Sequence, residues 1–383
     1  MRDAVIVGGG PAGSLSARYL SRFCDVSVLE THPVSGIPLG CTGLVSPEVI
    51  QLSGVRPEIL NSISKVRAVF PDGRSMQLDA GSPQAILIDR PQFDQLIAQS
   101  AQDAGAEFMY GTKASSVSRI DGGMRVKTQT GLELDSRLLI GAEGPSSMVR
   151  KLITDRKPKM TVRGLQYDVR HTMDEQDSLD VYMGRDVAPG FFAWVRPFGE
   201  FTRVGMCSQW NAPLPAELMH SLLKRSGLQD AEVVSKVSGK IPLGMNGHTY
   251  ADNMMIIGDA AVQVKPISGG GLFPIVNAAP CLAHTAEKAF SEDDFSSRVL
   301  SGYEKAWKKK VGSELKHGFR LRKMYNNLSD CDLDRIGEIV DNDKVRALAQ
   351  GASLDSPSKL VMKALHNIPM LLRLFPYLIK GLI

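Results

Sequence analysis

Gly8, Gly10 and Gly13 fall in the spacing GxGxxG within "GGGPAG", and Glu30 stands 20 residues after Gly10. The three glycines answer three steric needs, namely a tight turn, close approach of backbone to a pyrophosphate, and close helix–strand contact. A helix starting at this point, through Ala12 and Gly13, offers free N–H groups and the positive end of its dipole to phosphate. A carboxylate at the end of the next strand can accept from both ribose hydroxyls. Three further groups carry chemistry. "IIGDAAVQVKPISGGGL" sets Asp259 ahead of the turn Gly269, Gly270, Gly271 and Leu272. "IDRPQF" places Arg90 at a helix start. "PLGCTGLVSPEV" holds one thiol, Cys41, beside Thr42 and Gly43. Finally, "APGFFAWVRPFGE" (188–200) packs four aromatic rings and an arginine into thirteen residues.

The elements that must position these groups are legible. "DAVIV" (3–7) is a β-branched run suited to a strand buried on both faces. A helical segment "SLSARYLSRF" and a second strand "DVSVLE" follow it. Residues 88–108 predict a strand end and an amphipathic helix. Residues 136–150 predict a strand, a tight turn and a helix start. Residues 253–279 predict an apolar strand, Gly-Asp, a Gly-rich turn and a helix. Between the last two lie "TVRGLQYDV", "SLDVYM", "GFFAWVRP" and "FTRVGMC", alternating runs that predict antiparallel strands covering the dinucleotide. No second GxGxxG follows a strand, so a separate NAD(P)H domain is not expected.

Composition narrows the class. The 383 residues, 43% of them hydrophobic, suffice for two or three packed units. A net charge of +4 does not call for nucleic acid. Five scattered cysteines form no CxxC and no metal spacing, which suggests reduced thiols in a cytoplasmic setting and no metal. No apolar run is long enough to span a bilayer. Residues 356–383 carry four basic residues and no acid, broken by Pro369 and Pro376. They suit a membrane interface, the mouth of a lipid tunnel, or plain packing.

In order and spacing, the glycine loop, Arg90, "GAEG" and the Gly-Asp turn closely resemble the flavoproteins grouped with p-hydroxybenzoate hydroxylase. That resemblance implies FAD. It implies that Asp259 binds the ribityl chain and that Gly269–Leu272 lie under the flavin ring. It also implies that Arg90 faces the cofactor and that Ala114 passes the adenine. Glu143 stands where relatives carry Asp.

Pro189–Phe198 and the Cys41-Thr42-Gly43 loop resemble the geranylgeranyl reductase family. Here Phe192 replaces a Tyr, Arg196 an apolar ring and Phe198 a Lys, and the Cys loop is one residue shorter. This resemblance implies that Phe191, Phe192, Trp194, Arg196 and Pro197 line an isoprenoid site, with Arg196 meeting a head group or pointing to solvent. It implies that Cys41 lies near the flavin as a candidate proton donor. A buried sheet core is the plain alternative for the aromatic slab.

The expected architecture is α/β: a Rossmann-type FAD-binding domain (1–62, 91–160 and 246–300), an antiparallel β-sheet substrate domain (63–90 and 161–245) and a helical C-terminal region (301–383). The expected activity is FAD-dependent saturation of geranylgeranyl C=C bonds of a membrane lipid or its precursor. An external donor (ferredoxin, a flavodoxin-like protein or NAD(P)H) would supply electrons, at a peripheral site on the membrane. A flavin monooxygenase and a non-catalytic FAD-containing lipid-binding protein are the competing readings.

Overall fold

A computed structural model describes residues 1–245, 247–350, 353–359, 361 and 363. Five parallel strands form the centre of the first sheet, in the order Met254–Ile256, Glu133–Gly141, Arg2–Val7, Val26–Leu29 and Glu107–Met109. The hairpin Ala114–Ile120/Gly123–Thr128 adds antiparallel to Glu133–Gly141. Arg2–Val7 and Val26–Leu29 are covered on both faces, which is why they read as unbroken apolar runs. Helices Pro11–Leu20, Arg90–Asp103 and Leu272–Glu292 cover one face in one large apolar cluster. The hairpin and Met148–Ile153 cover the other.

The second sheet has seven strands, ordered Val233–Leu243, Met160–Val169, Phe201–Gln209, Ala193–Phe198, Ser178–Tyr182, Lys65–Val69 and Ser75–Asp79. All neighbours pair antiparallel except Ser178–Tyr182 with Lys65–Val69, which is parallel. Alternation splits this sheet cleanly. Ala193, Val195, Val204 and Met206 pack on helix Pro215–Arg225 through Leu218, Met219 and Leu222. The opposite face carries Phe192 and Trp194 and turns toward the first sheet, in a cluster with Val162, Phe191 and Val264.

One expected boundary needs correction. Of 63–90, only the segments Lys65–Val69 and Ser75–Asp79 join the seven-stranded sheet. Ala85–Ile88 pairs instead with Leu44–Val45 and Ile59–Ile63 in a separate three-stranded sheet. Hydrogen bonding decides this: Ile88 N donates to Gly43 O at 3.0 Å, so the strand braces the Cys loop. Helices Ser297–Trp307, Ser313–Asn326, Asp330–Val340 and Asp343–Ala349 complete the described C-terminal region.

Candidate functional site

The glycine loop joins Arg2–Val7 to the helix that starts at Pro11, with Gly10 as N-cap and a proline at the first turn. Gly8 has φ +103°, and a Cβ there would stand 2.5 Å from Ala142 O. A Cβ on Gly13 would stand 1.8 Å from Gly8 O, so only glycine lets the helix meet the strand. Gly10 differs: among the described residues, its chain neighbours aside, nothing lies within 4 Å of its missing Cβ. The space above the helix N-terminus is open for a phosphate. Glu30 is 8% exposed, and its Oε2 accepts from Gly9 N at 2.8 Å. Its Oε1 accepts from His32 N at 2.8 Å. The carboxylate is therefore fixed at the edge of the loop. Thr112 N donates to Glu30 O, which brings 110–113 alongside; Ala114 itself is buried in the apolar layer beneath.

Asp259 lies in the turn Gly258–Ala261, and Gly258 passes so close to Ala12 that a Cβ would stand 2.9 Å away. No described residue hydrogen-bonds the Asp259 carboxylate. Burial pushes it up to about 6, partly opposed by Arg90. A desolvated carboxylate that no described residue bonds, a helix N-terminus with Gly10 at its cap and a fixed Glu30 are groups that fit a dinucleotide. In the three-glycine turn, a Cβ on Gly271 would lie 3.2 Å from Asp259 Oδ1, and one on Gly269 would lie 3.5 Å from Phe191 Cζ. Arg90 pairs with Asp94 at 3.1 Å. Burial works against its charge, but Asp94 and Cys41 outweigh burial and hold it above its usual value. Glu143 Oε1 accepts from Val149 N at 2.8 Å at the start of Met148–Ile153, while its Oε2 is buried with no partner among the described residues, and burial holds the carboxyl above its usual range.

The Cys loop is clamped by two arginines that the alternating pattern alone did not reveal. Arg196 and Arg203 are paired directly across neighbouring strands, and both donate to Thr42 O, Arg203 at 3.0 Å. Asp168, opposite Arg203 on the next strand, accepts from it at 2.6 and 2.9 Å and from Ser235 at 2.8 Å. This corrects the expectation for Arg196. It is 1% exposed, neither in solvent nor free for a head group, and burial and then Arg203 pull it down to about 9. Pro197 shares the opposite face of its strand with Ala193 and Val195, and its carbonyl accepts from Arg196 at 3.1 Å. Above the clamp, Cys41 Sγ accepts from Gly43 N at 3.5 Å and lies in the field of Arg90.

Phe191 and Phe192 stack at 4.9 Å, and Phe192 meets Trp194 edge-on at 6.0 Å. Trp194 lies on Gly205, where a Cβ would stand 2.2 Å from its ring. Arg322, from helix Ser313–Asn326, sits 3.9 Å over Phe191. It donates to Pro266 O and Gly190 O at 2.9 Å and to Ile267 O, so it ties the slab to the Gly-rich turn. Burial lowers its guanidinium to about 10. Arg322, Arg203 and Asp168 carry no short-range sequence signal for these roles; they meet their partners only through strand register and the packing of helix Ser313–Asn326.

A parallel-sheet dinucleotide cradle, roofed by an antiparallel sheet whose apolar face meets a three-glycine turn, defines an FAD-binding flavoprotein. The family described as "FAD binding domain" matches residues 1–279, and the chain belongs to that family. The chain is 27% identical to digeranylgeranylglycerophospholipid reductase 2 of Methanopyrus kandleri, over 99% of each chain. Its fold matches a geranylgeranyl bacteriochlorophyll reductase-like protein from Thermoplasma acidophilum, with TM-score 0.86 and 24% identity over 98% of this chain and 99% of that one. A more distant fold match is p-nitrophenol 4-monooxygenase from Pseudomonas putida, with TM-score 0.68 and 17% identity over 91% and 96% of the two chains.

The raised Asp259 gives a pH prediction. Hydroxyls of a bound FAD would donate to the ionised carboxylate, so binding would favour the form that burial disfavours. Below about pH 6 binding must first remove a proton. FAD affinity therefore falls by up to about tenfold per pH unit as pH drops from there. Fluorescence titration at about pH 5 and about pH 8 measures this. Equal affinities, or the same slope in Asp259→Asn, would contradict it.

Proposed function

We propose that this protein is an FAD-dependent reductase that saturates geranylgeranyl C=C bonds of a membrane lipid or its precursor. The observation that carries the reading is the apolar slab Phe191–Phe192–Trp194, whose Phe191 meets Gly269 of the three-glycine turn. The name of the Methanopyrus relative, a digeranylgeranylglycerophospholipid reductase, supports it. An isolated alkene has neither charge nor a hydrogen-bonding group. It must be held by apolar area, worth about 25 cal/mol per Å2, and by orientation.

Bound and reduced FAD supplies the hydride, and a proton must reach the other alkene carbon. Glu30, the glycine loop and Asp259 hold and orient the cofactor. Phe192 and Trp194, both half-buried, give the chain flat walls and exclude water, while Phe191, buried under Arg322, backs them rather than lining the site. Arg196 and Arg203, through Thr42 O, fix the loop that carries the Cys41 thiol, the candidate to hold or pass the proton. Electrons come from an external donor: ferredoxin, a flavodoxin-like protein or NAD(P)H. With chemically reduced enzyme and a geranylgeranyl lipid, Trp194→Ala should keep the bound-flavin spectrum. It should lose about tenfold in turnover, equivalent to about 1.4 kcal/mol of positioning, or change which bonds are reduced. Unchanged rate and products would remove the slab from the reaction.

No helix of the described residues is long and apolar enough to cross a membrane. Most of 356–383 lies outside the described residues. Its four basic residues and lack of acids support peripheral docking on an anionic leaflet, at about 1 kcal/mol per charge. Co-sedimentation with anionic vesicles should be lost at high salt and on deleting 356–383, which removes all four basic residues, provided that FAD stays bound in the truncated protein. Failure of the full chain to sediment at low salt would contradict this.

A further inference from the structure

The geometry points to Asp355, in the C-terminal region, as the residue that sets the charge beside the three-glycine turn and couples that turn to the Cys loop. Lys265 opens the turn: its N donates to Gly270 O at 3.0 Å, and its O accepts from Gly269 N at 2.8 Å. Its side chain folds back along the same turn. A Cβ on Gly270 would stand 3.1 Å from Lys265 Cε and 3.6 Å from Nζ. The ammonium is paired inside the protein, donating to Asp355 Oδ1 at 2.5 Å and to Leu354 O at 3.2 Å. Lys265 is 5% exposed and Asp355 1%, so salt cannot screen the pair effectively. The other carboxylate oxygen, Oδ2, accepts from Ser46 Oγ. Ser46 caps the helix Pro47–Ser53, directly after the Cys loop. One carboxylate thus touches both walls of the flavin end of the cradle.

A buried ion pair is weak evidence for stability, because desolvation offsets most of the attraction. Its position is more informative. Reduction adds negative charge to the flavin, and a low-dielectric site makes a neighbouring charge count. With Asp355 in place, the Lys265 ammonium is compensated and stabilises the reduced cofactor little. Without it, an uncompensated cation faces the turn. Asp355 therefore holds the flavin potential low, toward stronger reducing power, which suits reduction of an unactivated alkene. The Ser46 arm separately holds the Cys loop in register.

This inference rests on FAD occupying the cradle, so the test reads occupancy first, from the visible spectrum of each protein. The midpoint potential is then measured near neutral pH. Asp355→Asn should shift it positive, and adding Lys265→Met should return it toward the wild-type value. Ser46→Ala should leave the potential in place but speed iodoacetamide labelling of Cys41. A yellow Asp355→Asn protein with the wild-type potential would overturn the charge role. Unchanged Cys41 labelling in Ser46→Ala would overturn the coupling. A wild type that carries no FAD would overturn the cofactor placement itself. If the single variant folds poorly, the charge-neutral double variant still decides: a potential far from wild type contradicts compensation within the pair.

Discussion

Asp168→Ala should lose about 3–5 kcal/mol of stability, the cost of leaving a buried charge without its partner. Asp168 sits at the end of a row that runs across three strands to Arg203 and Arg196. Those two guanidiniums lie side by side and buried, and the Asp168 carboxylate compensates them through its two bonds to Arg203. Burial opposes the charge on Asp168, but its bonds to Arg203 win and hold it below the usual carboxylate range. The sign for pH follows. The Asp168 contribution is complete above the ordinary carboxylate pKa and is lost as pH falls through the lowered one. Chemical denaturation should show the loss near neutral pH, and the variant should lack this part of the wild type's acid sensitivity. Its Cys41 should also label faster, because Arg203, one of the two donors to Thr42 O, is no longer held by Asp168. A stability within about 0.5 kcal/mol of wild type, the range of ordinary surface changes, would refute the clamp.

Gly13→Ala should yield a colourless, destabilised protein. Its Cβ would stand 1.8 Å from Gly8 O, a backbone atom that no rotamer change can move. The helix Pro11–Leu20 must then back away from the strand Arg2–Val7, at about 1–3 kcal/mol or more for such overpacking. The phosphate site moves with it. Gly10→Ala is the internal control. Among the described residues, its chain neighbours aside, its Cβ meets nothing within 4 Å, so the protein should keep its melting temperature and lose FAD affinity alone. Thermal melts and flavin content separate the two. A yellow Gly13→Ala protein would contradict the steric account.

The cradle was legible because its constraints are local. Gly8, Gly13 and Glu30 act within one strand–helix–strand unit, and Asp259 with Gly269–Gly271 forms a second such signal. The roof was legible as strands, and the period of two puts Trp194 and Arg196 on one face. The fate of Arg196 was not legible. Whether an arginine on an aromatic face meets a ligand or a carbonyl depends on which loop lies opposite, and Thr42 is more than a hundred residues away in sequence. The same holds for Asp168, which meets Arg203 only through strand register, and for Arg322 and Asp355, which reach the turn from the C-terminal helical region. Nothing short-range marks such contacts.

The most direct test of the central claim is the product mass. Anaerobically reduced wild-type enzyme is given a geranylgeranyl glycerophospholipid, and the extracted lipid is weighed by mass spectrometry. The account predicts a gain of two mass units per double bond, matched by reoxidation of one flavin per bond. A lipid returned unchanged, or one that gains oxygen only when air and NADPH are admitted, would contradict it.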